Sequence, residues 1–135
     1  MTQSDMTVRL FDYDKDYEDI KSWWKEQEFP VIPKDYLSTT GFISEDKENK
    51  YAVTWVFTTN SPIYIMEWTV GNPNVDYKKR KEGLHQIIEA SSVFAKECGA
   101  KFLLTMTNNN RFYNKLTEFN FDEQDRNVIH MMRSL

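Results

Sequence analysis

IYIMEWTVGNPNVDYKKRKEGLHQII, residues Ile63 to Ile88, is the stretch on which the fold turns. Its first eight residues, Ile63 to Val70, are apolar at nearly every position, as expected of a central strand covered on both faces. GNPNVD then reads as a loop. From about Arg80 a helical pattern begins, with Leu84, Ile87, Ile88, Ser91, Phe94, Ala95 and Cys98 on one stripe and Gly99 as its stop. KFLLTMT, Lys101 to Thr107, reads as a second buried strand. A strand, a long helix and a strand form a βαβ unit, so the two strands are expected to be parallel neighbours.

Working toward the N-terminus, YAVTWVFTT (Tyr51 to Thr59) is a β-branched and aromatic strand that NSP turns into Ile63. GFIS (Gly41 to Ser44) is a short strand, followed by the polar turn EDKENK. TVRLF (Thr7 to Phe11) alternates apolar and polar residues and reads as a strand. Asp14 and Asp16 are good N-caps for a first helix, in which Tyr17, Ile20 and Trp24 recur at helical spacing with Trp23 beside them. That helix runs to about Glu28 and is ended by Pro30 and Pro33, which leaves FPVIPKDYL as a loop or a broken short helix. Toward the C-terminus, NNN is a turn and helix cap, and Phe112, Leu116 and Phe119 mark a helix. Asn120 supplies a left-handed residue, and Phe121 onward and Val128 to Met132 read as two final strands. The order is β-α-β-β-β-α-β-α-β-β, without repeats or an interdomain linker, and a single domain over 1–135 is expected.

The bulk numbers limit the functions open to such a chain. Its 135 residues suffice for one core, and 40% hydrophobic content with 15% aromatics favours folding over disorder. A net charge of -4 argues against a general nucleic-acid binder, and Lys78 to Lys81 is the one basic cluster. The single cysteine, Cys98, forms no intrachain disulfide, points to a reducing compartment and reads as a small buried hydrophobe. His85 and His130 are far apart, with no Cys or His at metal spacing, so no metal site is read. No apolar run approaches the roughly 20 residues of a membrane span, and MTQSDMTVRL lacks a signal-peptide core.

With these motifs, the order of elements resembles the GCN5-related N-acetyltransferase family over nearly the whole chain. More narrowly it is similar to the short acetyltransferase-like proteins of tailed bacteriophages. The shared features are Trp23-Trp24, Gly41 to Ile43, Thr59 to Ser61, Glu67-Trp68, Asn72-Pro73, and Ala95-Lys96 followed by Gly99 to Lys101. The resemblance implies an α+β fold: a central twisted mixed sheet of six to seven strands with helices on both faces. It implies acetyl-coenzyme A as a small-molecule cosubstrate and an amine acceptor on a protein or a small molecule. A host or virion protein partner, a homodimer joined through the VIHMM strand, and a location in the cytoplasm of an infected bacterium or in the virion belong to the same expectation. The other reading is a catalytically degenerate binding module that keeps the fold and acts in the virion or against a host defence factor.

The resemblance also assigns residues. Arg80 and Gly83 match the family's Gln/Arg-x-x-Gly-x-Gly/Ala motif, so the backbone N–H groups of Arg80, Lys81, Glu82, Gly83, Leu84 and His85 are the expected pyrophosphate seat. His85 departs from the small residue expected last. A helix N-terminus is a ready anion site, and the alternative for this run is a solvated helix start. Glu67 is the expected general base; the alternative is a carboxylate open to solvent or paired structurally. A backbone N–H between Trp68 and Val70 would stabilise the oxyanion. Asn108 matches an asparagine lining the gap between the parallel strands, or is simply a turn former and helix cap. Leu116 occupies the place of the family's acidic tyrosine, leaving Tyr113, one turn earlier, as a substitute. Trp23, Trp24, Phe29 and Ile32 would wall the acceptor site or pack in the core. The two tryptophans are expected to differ in exposure, and Trp55 and Trp68 are expected in the core.

Overall fold

A computed structural model describes residues 5–135. The first four residues, part of the segment read as lacking a signal-peptide core, lie outside them. The elements are β1 (Thr7–Leu10), α1 (Tyr13–Glu26), a 3-10 turn (Lys34–Tyr36), β2 (Gly41–Glu45), β3 (Lys50–Phe57), β4 (Ile63–Gly71), α2 (Tyr77–Glu97), β5 (Phe102–Leu104) and α3 (Asn110–Glu118). The five strands form one sheet in the order β1-β2-β3-β4-β5. Neighbours are antiparallel except β4 and β5, which are parallel with Ile63 opposite Phe102 and Ile65 opposite Leu104. The βαβ unit read from Ile63 to Thr107 is therefore present.

Helices cover both faces. On one, α1 packs Ile20, Trp23 and Trp24 against Ile43, Val53, Trp55 and Val70. On the other, Ile88 of α2 and Leu116 of α3 meet Met66 of β4. Gly41 is required by this packing, because a Cβ there would lie 2.6 Å from the indole of Trp55. The expected difference between Trp23 and Trp24 is not found, since both are buried. The proline loop explains it: Tyr17 donates its hydroxyl to the Ile32 carbonyl at 2.8 Å, folding Ile32 and Leu37 back over the helix flank.

The first helix begins earlier than Asp14. Asp12 is its N-cap and accepts from the N–H groups of Asp14 and Lys15 at 3.0 and 3.1 Å. Asp16, read as a cap, is instead wholly buried. It binds Arg9 and Lys50, each at 2.7 Å, and accepts the Asp12 N–H at 2.8 Å. Glu28, at φ 61°, takes the left-handed turn that closes the helix before Pro30, and Phe29 N–H bonds the Trp24 carbonyl at 2.8 Å.

Six to seven strands were expected and five are present. Among the described residues no strand follows α3. Val128, Ile129, Met131 and Met132 are exposed rather than laddered. A terminal strand needs a free ladder, and β5, the adjoining edge, is only three residues long. Asn120 is left-handed as expected, at φ 65°. Cys98 is exposed at the C-cap of α2, not buried, where the helix ends and Gly99 turns the chain at φ 96°. No helix among the described residues is long and apolar enough to cross a membrane.

Candidate functional site

The site is built where β4 and β5 part. Their pairing ends at Ile65 opposite Leu104, although β4 continues to Gly71. KFLLTMT thus holds a strand of three residues, not seven. The next contact across the gap involves a side chain: Met106 N–H donates to Glu67 Oε1 at 3.2 Å. Glu67 pairs across the sheet with Trp55, a member of the α1-side core, so its side chain leaves the sheet on that face. It is half-buried. Burial raises its pKa above the ordinary carboxylate value, and the Met106 N–H and the His130 charge offset part of that rise. A carboxyl shifted upward by desolvation suits proton abstraction near neutral pH.

Beside Glu67 the strand is distorted. Val53 pairs with Val70 and Trp55 with Glu67, so Trp68 and Thr69 together oppose the single residue Thr54. This is a β-bulge, and Trp68 sits in it at φ 64°. The left-handed region costs a non-glycine residue about 1–2 kcal/mol, so neighbouring contacts must hold it. The buried Thr54 does so: its hydroxyl meets Thr69 Oγ1 at 2.7 Å and the Glu67 carbonyl at 3.4 Å. The left-handed Trp68 therefore stands directly beside the half-buried Glu67 carboxylate. No glycine or proline marks position 68, so nothing in the sequence signals the bulge.

The run KKRKEGLH has a different geometry from the one expected. The helix begins at Tyr77, three residues before Arg80, with Asp76 as its N-cap. Arg80 N–H already bonds the Asp76 carbonyl at 3.0 Å. The donors of Lys81, Glu82, Gly83, Leu84 and His85 are therefore inside the helix, and a seat of free N–H groups is not formed there. The free first-turn donors lie earlier, on Tyr77 and Lys78, since Asp76 also accepts from Lys79 N–H at 3.3 Å.

The two motif matches have local work. Arg80 donates to the Asn72 carbonyl at 3.2 Å and lies against Gly71, closing the β4–α2 loop. Gly83 faces the sheet, where a Cβ would come within 2.6 Å of Ser44 Oγ and 2.7 Å of Tyr51 Cβ. Leu84 packs toward α3 with Met66 and Leu116, and His85 meets the Phe119 ring at 4.5 Å. Lys78, Lys79 and Lys81 are exposed around this helix start.

The remaining candidates divide. Trp23, Trp24 and Ile32 are core residues, and of the expected acceptor wall only Phe29 is exposed. Trp55 is fully buried, whereas Trp68 packs against the same core only in part. Val70 is buried under α1. Asn108 follows the parted strand, but the cap of α3 is Asn109, whose Oδ1 accepts Phe112 N–H at 3.0 Å. Tyr113 is exposed on α3, while Leu116 is buried against Met66. Among the described residues no cluster of His, Cys, Asp or Glu could hold a metal ion. Residues that the sequence reading missed are Thr54, Thr69 and Met106, whose roles depend on tertiary contacts.

With this geometry in hand, the fold is recognisable. No protein-family model matches the sequence, and no curated protein matches it. Solved structures do. An aminoglycoside N-acetyltransferase, AAC(6')-Iy, in complex with CoA superposes with a TM-score of 0.69 at 16% identity, covering 98% of each chain. An acetyltransferase of Trypanosoma brucei gives 0.66 at 10% identity, covering 95% of this chain and all of its own. YncA, a putative acetyltransferase of Salmonella typhimurium with acetyl-CoA, gives 0.65 at 12% identity over 87% of this chain and 79% of its own. The chain has the fold of the GCN5-related N-acetyltransferases.

Proposed function

We propose that the protein is an acetyl-coenzyme A-dependent N-acyltransferase with Glu67 as general base. The observation that carries this reading is Glu67 itself, half-buried and raised in pKa where β4 and β5 diverge, beside the strained bulge at Trp68. Several fold neighbours were solved with CoA or acetyl-CoA, which supports that cosubstrate here. Acetyl-coenzyme A would supply an acyl thioester. Glu67 would take a proton from the acceptor amine as its nitrogen bonds the carbonyl carbon, and backbone N–H groups between Trp68 and Val70 would face the developing oxyanion. The C–S bond then breaks. A thiol has a pKa of about 8.5, so its anion leaves without obligatory help, and Tyr113 is the candidate donor if one acts.

The cosubstrate phosphates would approach the start of α2, with Tyr77 and Lys78 N–H as donors, the Lys78, Lys79 and Lys81 ammonium groups near, and Arg80 and Gly83 supporting the loop and helix. Asn108 would line the gap and Phe29 the acceptor side. The tailed-phage setting, the host cytoplasm or virion location, a protein acceptor and a homodimer rest on sequence resemblance alone.

A second reading has its own support. With no free donors over Arg80 to His85, His85 against Phe119 and Leu116 at the tyrosine position, the chain would be a non-catalytic module that binds a host or virion protein.

Calorimetric titration with acetyl-coenzyme A separates the two. Micromolar binding, with thiol release from an amine panel that falls about 10²- to 10⁴-fold in Glu67→Gln at unchanged affinity, is the transferase result. Silence at millimolar cosubstrate removes it.

A further inference from the structure

The C-terminal tail has no regular structure, yet it is not independent of the site. His130 Nε2 lies 2.8 Å from Met106 Sδ, and Met106 N–H is the group that holds Glu67 Oε1 at 3.2 Å. Met106 thus joins the tail to the carboxylate. A thioether sulfur only accepts, so Nε2 must carry a proton in this contact. Nδ1 is then left free of this contact.

We propose that His130 is a positioning residue of the Glu67 site: through Met106 it fixes the N–H that holds the carboxylate, and its imidazolium form favours the carboxylate anion. The catalytic meaning of this coupling rests on the transferase reading, but the coupling does not.

The charged surroundings are simple. Burial raises the Glu67 pKa, and among the described residues His130 is the charged side chain that offsets the rise. Elsewhere in the tail Arg126 is engaged by Glu123 and lies near Tyr113.

The test is an NMR titration of the full chain with carboxyl-labelled glutamate, comparing wild type, His130→Gln, His130→Ala and Met106→Leu. Glutamine keeps an N–H donor for the sulfur but cannot charge. The expected result is a Glu67 proton affinity about two- to three-fold higher in both His130 variants. The Met106 amide resonance should move in His130→Ala and Met106→Leu and stay near its place in His130→Gln. Because His130 and Met106 are both exposed, these variants should fold. Superimposable Glu67 titrations in wild type and His130→Gln would overturn the proposal. Acetyl-coenzyme A calorimetry on the same samples reads the transferase question separately: a silent calorimeter with the Glu67 shift intact removes the enzyme and leaves the coupling.

Discussion

Two carboxylates, on the same side of one sheet, have opposite fates. Asp16 is wholly buried, and both its oxygens are saturated: Arg9 bonds both, at 2.7 and 2.9 Å, Lys50 binds at 2.7 Å and Asp12 N–H donates at 2.8 Å. Burial alone would raise its pKa, but these partners outweigh burial and hold it at about 2. Glu67 is less buried and has one backbone N–H at 3.2 Å, so burial prevails and its pKa rises. The degree of burial does not decide the direction in which an acid shifts. The number of charged donors does, and a buried carboxylate that has its full complement is held ionised.

Removing the complement breaks the comparison most forcefully at Asp16. Asp16→Asn leaves Arg9 and Lys50 without their shared anion. Breaking a buried pair typically costs about 3–5 kcal/mol. Arg9 and Lys50 are 31% and 26% exposed and can reach water, so we expect about 2–4 kcal/mol in urea unfolding. The pH dependence carries a sign. The Asp16 pKa is depressed from 3.8 to about 2, so its stabilisation is present above 3.8 and lost as pH falls through 2. The variant should lack that acid limb. A loss below 1 kcal/mol would mean that the network is decorative.

Lys50→Met is the milder version. Arg9 still holds Asp16, and the methionine keeps the apolar stem of the lysine. The Lys50 ammonium also binds Asp19 at 2.7 Å, at a partly exposed position. A loss of about 1 kcal/mol is expected by thermal or urea unfolding. A loss as large as that of Asp16→Asn would show that Arg9 contributes little, and would make Lys50 the principal partner.

The same contrast shows what a sequence can reveal. The β4 run, the α2 stripe and β5 were legible because periodicity and apolar content are local properties. Glu67 stood out for the same reason, as a charge within an apolar strand. Asp16 looks like a cap in the sequence because its partners, Arg9 and Lys50, are not adjacent to it in the chain and only its helix-start position is local. The sequence suggests a start of α2 near Arg80 because the first apolar stripe residue is Leu84; the helix begins at Tyr77, under the Asp76 cap, over a turn of lysines that face solvent. Gly83 fits a phosphate motif by spacing, yet its absent side chain is required by Ser44 and Tyr51. The bulge at Trp68 and the Met106 contact are tertiary events with no local signature. The two final strands failed for a related reason, since pattern alone does not reveal whether an edge is long enough to receive a strand.

Glu67→Gln should give the smallest stability change, and its sign is the opposite of that at Asp16. The glutamine carbonyl still accepts the Met106 N–H, so the geometry is retained while the charge is removed. In the wild type the folded pKa lies above the unfolded 4.5, so the folded state binds more protons than the unfolded chain between those values. The stability contributed by protonation is complete below 4.5 and is lost as pH rises through the folded value. At pH 4 the variant and wild type should unfold at nearly the same urea concentration. At pH 8 the variant should be the more stable, by less than the loss expected at Lys50→Met. Such a gain, beside lost activity, is what a carboxylate kept under-solvated for a reaction predicts, and a variant less stable than wild type at pH 8 would place Glu67 with Asp16 among the structural acids.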